Sequence, residues 1–162
     1  MNAFQTRTWL GYLALVRILV GIQFLLVAWP KVAGGRFLTL GGKAFADQLS
    51  RAAPHDPLQW HRAFLTGFVI PHAHSFSYLV AFGETAIAIS LITGCLVRVS
   101  SCFGAFHNAN IYFALGYAAG GPMLYWNQLL ILLHIVFVLA SAGRALGIDG
   151  LLAKRFRNSW LF

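Results

Sequence analysis

Glu84 stands inside residues 76–97, an apolar run long enough to cross a bilayer. Only three other acids occur in the chain, Asp47, Asp56 and Asp149. A charged group at a helix centre costs roughly 2.5–3.5 kcal/mol on insertion scales, so a carboxylate held there needs partners and marks a functional site by default. His107 and His134 also fall inside apolar runs. Histidine titrates near neutrality, so a glutamate with two histidines can pass protons at ordinary pH.

Gln23 and Asn110 put a polar group into two further runs. At about 1.5 Å per residue, Glu84 lies about 12 Å below one end of its run and His134 about 15 Å; Gln23 and Asn110 lie roughly 10–13 Å down, which predicts one shared layer. His107 is expected to share a helix face with Asn110 and to lie one turn deeper, with Asn108 pointing elsewhere. Asn127 and Gln128 lie above His134. Two readings fit the layer. Such side chains can simply hydrogen-bond helix to helix, contributing around 0.6 kcal/mol each. Alternatively they serve a head group that loses and gains protons, as a hydroquinone does. Arg17 and Arg98 belong to the other half of the runs. One or the other is expected to pair with Asp149, with an anionic lipid or substrate site as the alternative.

The elements that position these residues follow from composition. Hydrophobic residues make up 59% of the chain and charged residues 10%, which points to the membrane. The net charge is +8, but the basic residues flank apolar runs. They read as anchors to anionic headgroups, which argues against nucleic acid as a partner. Residues 10–29, 76–97, 99–118 and 124–142 each approach the roughly 20 residues that span a bilayer. In lipid such runs must be helices, and none alternates as barrel strands do. The fold expected is all-α and integral to the membrane: one domain, 1–162, as a four-transmembrane-helix up-down bundle with a long, partly helical loop over residues 30–75. The first run is longer than the core of a signal peptide and lacks a clear cleavage site, so it reads as a retained span.

Pro30 is expected to end the first helix and Lys31 to snorkel from it. Gly34-Gly35 and Gly41-Gly42 break the loop. Residues 43–52 have helical spacing, with Phe45 and Leu49 on one face. Residues 58–69 place Trp60, Phe64 and Phe68 at i, i+4 and i+8, which suits a helix in the membrane interface or a lid packed on the bundle. Arg98 marks one short turn, and residues 119–122 form an uncharged one. Arg7, Arg98, Arg144, Lys154, Arg155 and Arg157 on one side nearly balance Lys31, Arg36, Lys43, Arg51 and Arg62 in the long loop, so the two short turns decide, and they favour an N-in/C-in orientation. His55, His61, His72 and His74 lack the converging pattern a metal needs, so no metal site is expected. Cys95 and Cys102 read as small apolar residues at helix ends, with a redox pair across the turn as the alternative.

The sequence resembles the DoxX/DoxD family of small four-helix membrane proteins, which includes the small subunit of thiosulfate:quinone oxidoreductase. Arg17-x-x-x-Gly21 and then Pro30-Lys31 are similar to the family's first helix. Leu79-Val80-Ala81-Phe82-Gly83-Glu84, then Leu91-Ile92-Thr93-Gly94 and Arg98, resemble its Gly-Glu…Leu-x-x-Gly…Arg pattern. Gly143-Arg144…Gly147-Ile148-Asp149 resembles its Gly…Leu-Asp ending. Residues 106–110 resemble its Met-Asn-x-Asn stretch, with His107 where Met is usual.

The resemblance implies quinone-linked redox chemistry in the bacterial inner membrane, beside other membrane-complex subunits and lipid. Quinone is then the expected cofactor, and no motif for haem is present. In that reading Glu84, His134 and His107 are the catalytic groups, and Gln23, Asn110, Arg17, Arg98 and Trp126 contact the ligand. Phe82, Phe106 and Tyr112 would join Trp126 in lining the pocket, although the same aromatics serve plain helix packing. The other reading is a non-catalytic accessory subunit of a respiratory or photosynthetic complex, with Glu84 and Arg17 serving only bundle structure. A solute transporter is disfavoured, because the sequence shows no inverted repeat and no broken helix pair.

Overall fold

The computed structural model describes residues 3–33, 36–39, 42–156 and 159–161. Gly34, Gly35, Gly41 and Arg157 lie outside the described residues, as does the side chain of Arg7. Among the described residues every regular element is helical: α1 (Ala3–Ala33), α2 (Arg36–Thr39), α3 (Lys43–Ala52), α4 (Gln59–Phe64), α5 (Ala73–Thr93), α6 (Val97–Ile111), α7 (Tyr117–Ala119), α8 (Gly121–Leu139) and α9 (Ile148–Arg155). A π-helical turn, Leu65–Val69, extends α4, and another, Tyr112–Gly116, joins α6 to α7.

Among the described residues three stretches are long and apolar enough to cross a membrane: Trp9–Ala33, Ala73–Thr93 and Gly121–Leu139. Their outward faces stay apolar, with Leu19, Leu26, Leu79, Ile89, Leu132 and Leu139 exposed. In water those side chains would be a liability; against lipid tails they are solvated. The third apolar run, residues 99–118, is helical throughout but divided by its π turn. It also carries Ser100, Ser101, His107, Asn108 and Asn110, which lower its apolar character.

Close approaches set the packing. A Cβ on Gly21 would meet Leu91 and Ile92 at 2.9 Å, while Lys31 further along α1 meets Glu84, earlier on α5. The two helices are therefore antiparallel. Likewise Gly104 of α6 receives the ring of His134, and Gly116 lies against Leu124, so this rod and α8 are antiparallel. Small residues at such crossings let backbones approach where lipid supplies no hydrophobic drive. The buried core between the helices includes Val20, Phe24, Ile87, Leu91, Leu130 and Phe137.

Pro30 does not end the first helix, which continues to Ala33. A proline removes one backbone donor, and within a membrane helix neighbouring groups absorb that loss. Nor does Lys31 snorkel outward, because it turns in to Glu84. Gly94 ends α5 in the left-handed region at φ 71°, a conformation that favours glycine.

Among the described residues neither Arg17 nor Arg98 makes the expected direct ion pair with Asp149, although Arg17 lies within reach of that carboxylate's charge. Asp149 instead accepts hydrogen bonds from the N–H groups of Leu96 at 2.7 Å and Val97 at 3.0 Å. It thus caps the start of α6, where backbone donors are orphaned and the helix dipole favours an anion. Arg17 donates to the carbonyls of Ala142 at 3.2 Å and Leu146 at 3.1 Å. Arg98 donates to the Trp160 carbonyl at 2.6 Å and to Ser141 Oγ at 2.5 Å.

The connection between α1 and α5 folds onto the bundle. Leu49, Ala53, Leu65, Val69 and Ala114 form a second apolar cluster, with Phe45 packed against it. His61, Leu65 and Val69 are the buried face of α4 and its π turn, whereas Trp60, Phe64 and Phe68 face outward.

Candidate functional site

Glu84 is buried, and three helices meet at its carboxylate. Lys31 Nζ of α1 donates to both oxygens at 2.6 Å. His107 of α6 lies with Nε2 2.9 Å from Oε1. An ionised carboxylate only accepts, so that nitrogen carries the proton and donates. The ammonium neutralises a charge that apolar surroundings would otherwise disfavour strongly.

Beside this cluster lies a cavity of about 360 Å³ between α1, α5, α6 and α8. Gln23, Glu84, His107, Asn108 and Asn127 contribute its polar groups, and Phe24, Val27, Ile111, Trp126 and Leu130 are among its apolar ones. Asn108 donates to its own helix at Gly104 O, 2.8 Å, and Asn127 to Met123 O, also 2.8 Å. These bonds tie down the amide nitrogens and leave each carbonyl oxygen without a donor among the described residues.

Of the residues expected at a site, the structure brings Gln23, Glu84, His107 and Trp126 together on this cavity. His134 is not among its lining residues. It is fully buried, with its ring against Gly104 and edge-on to Phe24 at 5.4 Å and Phe137 at 6.1 Å between centroids. Asn110 turns away from the cavity. Its Oδ1 lies 3.1 Å from His61 Nε2, and its Nδ2 donates to Phe106 O at 2.7 Å.

The expected pairing of faces on α6 is thereby reversed. At roughly 100° per residue, Asn108 stands about 100° to one side of His107 and Asn110 about 60° to the other. The cavity opens on the Asn108 side. Phe82 and Phe106 do not line it and are 53% and 70% exposed. Tyr112 packs edge-on against Phe113 and Tyr117. Arg17 and Arg98 sit at the other end of the bundle, on the carbonyl and hydroxyl oxygens described above.

Sequence reasoning missed Lys31, Asn108 and Asn127 as site residues. Lys31 had a signal. Arg17, Gly21, Phe24, Ala28 and Lys31 follow one another at four- and three-residue steps, a single helix face. Arg17, Phe24 and Ala28 on that face are buried. A second polar knot ties the connection to α6. Asp56 Oδ2 lies 2.5 Å from His61 Nδ1, and Asp56 Oδ1 accepts from Leu58 N at 2.8 Å.

Apolar helices, a neutralised carboxylate and an adjoining cavity define a helical membrane protein with a buried ion-paired glutamate beside a cavity. The chain belongs to the DoxD family, described as "TQO small subunit DoxD", whose pattern matches residues 12–162. No curated protein and no solved structure matches it.

Proposed function

We propose that the chain is the quinone-linked small subunit of a membrane oxidoreductase complex, and that the cavity beside Glu84 takes the quinone head group. The observation that carries this reading is the Lys31–Glu84–His107 cluster on the wall of a cavity with apolar lining. Its volume of about 360 Å³ falls at the lower end of the 300–1,000 Å³ common for small-molecule sites. The match to the small-subunit family of thiosulfate:quinone oxidoreductase supports the same class of ligand. In this reading α1, α5, the α6–α7 rod and α8 cross the bacterial inner membrane as a four-helix up-down bundle. Arg98, Arg144, Lys154 and Arg155 then face the inner side, as the positive-inside rule prefers.

The residues present fit a quinone. Its ring oxygens need hydrogen-bond partners, and its tail needs an apolar channel. When bound, the quinone supplies the two-electron, two-proton chemistry. His107 is the group placed to exchange a proton with a ring oxygen, since its Nε2–H is held by Glu84. Glu84 balances the charge on His107 while Lys31 keeps the carboxylate ionised. The carbonyl oxygens of Asn108 and Asn127 accept from a hydroxyl, and the Gln23 amide can do either. Trp126 offers a flat apolar face for the ring.

One observation favours a second reading, a non-catalytic accessory subunit. Lys31 alone engages both oxygens of Glu84. The carboxylate is therefore satisfied without any ligand.

The two readings separate by extraction. Quinone content and quinone reduction are measured on the complex purified through this chain, native and with Glu84→Gln. Quinone present in the native complex and lost in the variant, with the helices intact, supports the first reading. No quinone in either preparation, or equal quinone and equal activity in both, supports the second.

A further inference from the structure

Buried side-chain nitrogen and oxygen atoms normally have partners, and the exceptions here are not scattered. Among the described residues they are Arg17 Nε, Arg98 Nε, Ser101 Oγ and both ring nitrogens of His134. None belongs to Lys31, Glu84, His107, Asn108 or Asn127. The orphaned atoms lie at His134 and beyond it, toward the Arg17 end of the bundle.

Their order can be traced. Phe24 packs against two imidazoles, 6.4 Å from the ring of His107 and 5.4 Å from that of His134. His107 is on the cavity wall and His134 is not. Gly104 makes room for the His134 ring. Ser101 comes one turn before Gly104 on the same face of α6, and is fully buried. Arg17 is two turns from Phe24 along α1, with its Nη atoms on the carbonyls of Ala142 and Leu146.

An imidazole with both nitrogens unpartnered is costly in a sealed interior, since each orphaned polar atom has given up its hydrogen bonds to water with nothing in return. Buried water is the usual remedy, and it needs polar partners on more than one side. His134 and the Ser101 hydroxyl offer them. Both groups also donate and accept: the imidazole can take a proton at one ring nitrogen and release one from the other, and the hydroxyl can accept a proton at Oγ as it gives up its own.

We infer that His134 and Ser101 hold buried water, and that this hydrated pair is the route by which protons pass between the cavity and the Arg17 end of the bundle. The buried water stands on the orphaned atoms alone; the traffic of protons rests on the proposed quinone site. His134 acts here as a relay that never touches the ring, while His107 is the contact group. Arg17 keeps its proton, and its free Nε–H holds the far end of the water chain. The alternative is a dry His134, with its N–H directed at a neighbouring aromatic face.

The test has two arms. In the first, the full chain, labelled with ¹⁵N-histidine in lipid bilayers, is examined by water-edited solid-state NMR. His134→Phe identifies the resonance by its loss. Magnetisation passing from water to the His134 ring is expected in the native chain, and a several-fold weaker transfer in Ser101→Ala. No transfer to His134, under conditions where exposed His72 receives it, overturns the buried water.

The second arm follows proton release on quinol oxidation by the quinone-containing complex. His134→Phe and Ser101→Ala should slow release with quinone content unchanged, His134→Phe by about a hundredfold, the low end of what a positioned proton-transfer group contributes. Unslowed release beside a hydrated His134 overturns the route. A native complex without quinone overturns the quinone site and the route together, and leaves the buried water to be decided by the first arm.

Discussion

Lys31 and Glu84 are 53 residues apart in sequence, yet Lys31 Nζ sits 2.6 Å from both oxygens of the Glu84 carboxylate. The pair joins the end of α1 to the middle of α5, beside the cavity. Removing one member of a buried pair strands the other charge, which typically costs about 3–5 kcal/mol, whereas removing both is often nearly neutral. Lys31→Met should therefore destabilise the bundle more than the Lys31→Met/Glu84→Gln double variant. Thermal unfolding of the four species in one detergent gives the double-mutant cycle. Additive losses would show that the two side chains do not act as a pair.

Gly104 carries a second prediction. A Cβ placed there would run into the imidazole of His134. The ring has little room to retreat, because Phe24 and Phe137 face it edge-on. Gly104→Ala should cost about 1–3 kcal/mol, as forcing an extra methyl against a packed ring does. Combining it with His134→Ala should recover most of that loss. The unfolding midpoints of the single and double variants decide the matter, and a double variant no better than Gly104→Ala would place the strain elsewhere.

The limits of sequence reasoning show in these same residues. An apolar run of bilayer length announces its own helix, and a carboxylate within it announces a site, because both signals are local. Glu84 and His107 could therefore be grouped by chemistry but not paired, because counting along the runs puts His107 one turn deeper than the Glu84 layer, whereas the two are in direct contact. Lys31 could not even be grouped with them, because Pro-Lys at the end of an apolar run also describes a helix stop with a snorkelling cation. Its inward turn depends on α5 offering a carboxylate at matching height. The choice between Asn108 and Asn110 turned on roughly 160° of helix rotation. Only the placement of α8 and of the α1–α5 connection settles that rotation. Asp149 is a third case. Its partners are the backbone amides of Leu96 and Val97, and no side-chain type in the sequence marks them.

Those amides allow a direct measurement. Leu96 stands in the left-handed region at φ 54°, so the α5–α6 turn is held in an uncommon conformation. The Asp149 carboxylate supplies the acceptors for the amides of Leu96 itself and of Val97. Asp149→Ala should cost about 1–2 kcal/mol, in the range of lost helix caps. Amide exchange at Leu96 and Val97 should accelerate markedly, with little change at the middle of α6. Uniformly faster exchange along α6 would mean that the carboxylate supports the whole bundle and not this one turn.

Trp60 tests where the α4 stripe lies. It is 69% exposed, and Phe64 and Phe68 flank it on the same outward face while Leu65 and Val69 seal the inner one. Arg62 is the neighbouring cation in sequence. An amphipathic helix of this kind settles at the boundary between headgroups and acyl chains, where tryptophan is favoured. A variant retaining Trp60 as its single tryptophan, the other four replaced by phenylalanine, should fluoresce with a blue-shifted maximum in vesicles. Lipids brominated near the headgroup should quench it more than lipids brominated near the chain ends. Quenching by aqueous acrylamide alone would put the stripe in water, as the exposed face of a lid. Protection from every quencher, seen only when the chain is inside its complex, would assign that face to a partner subunit.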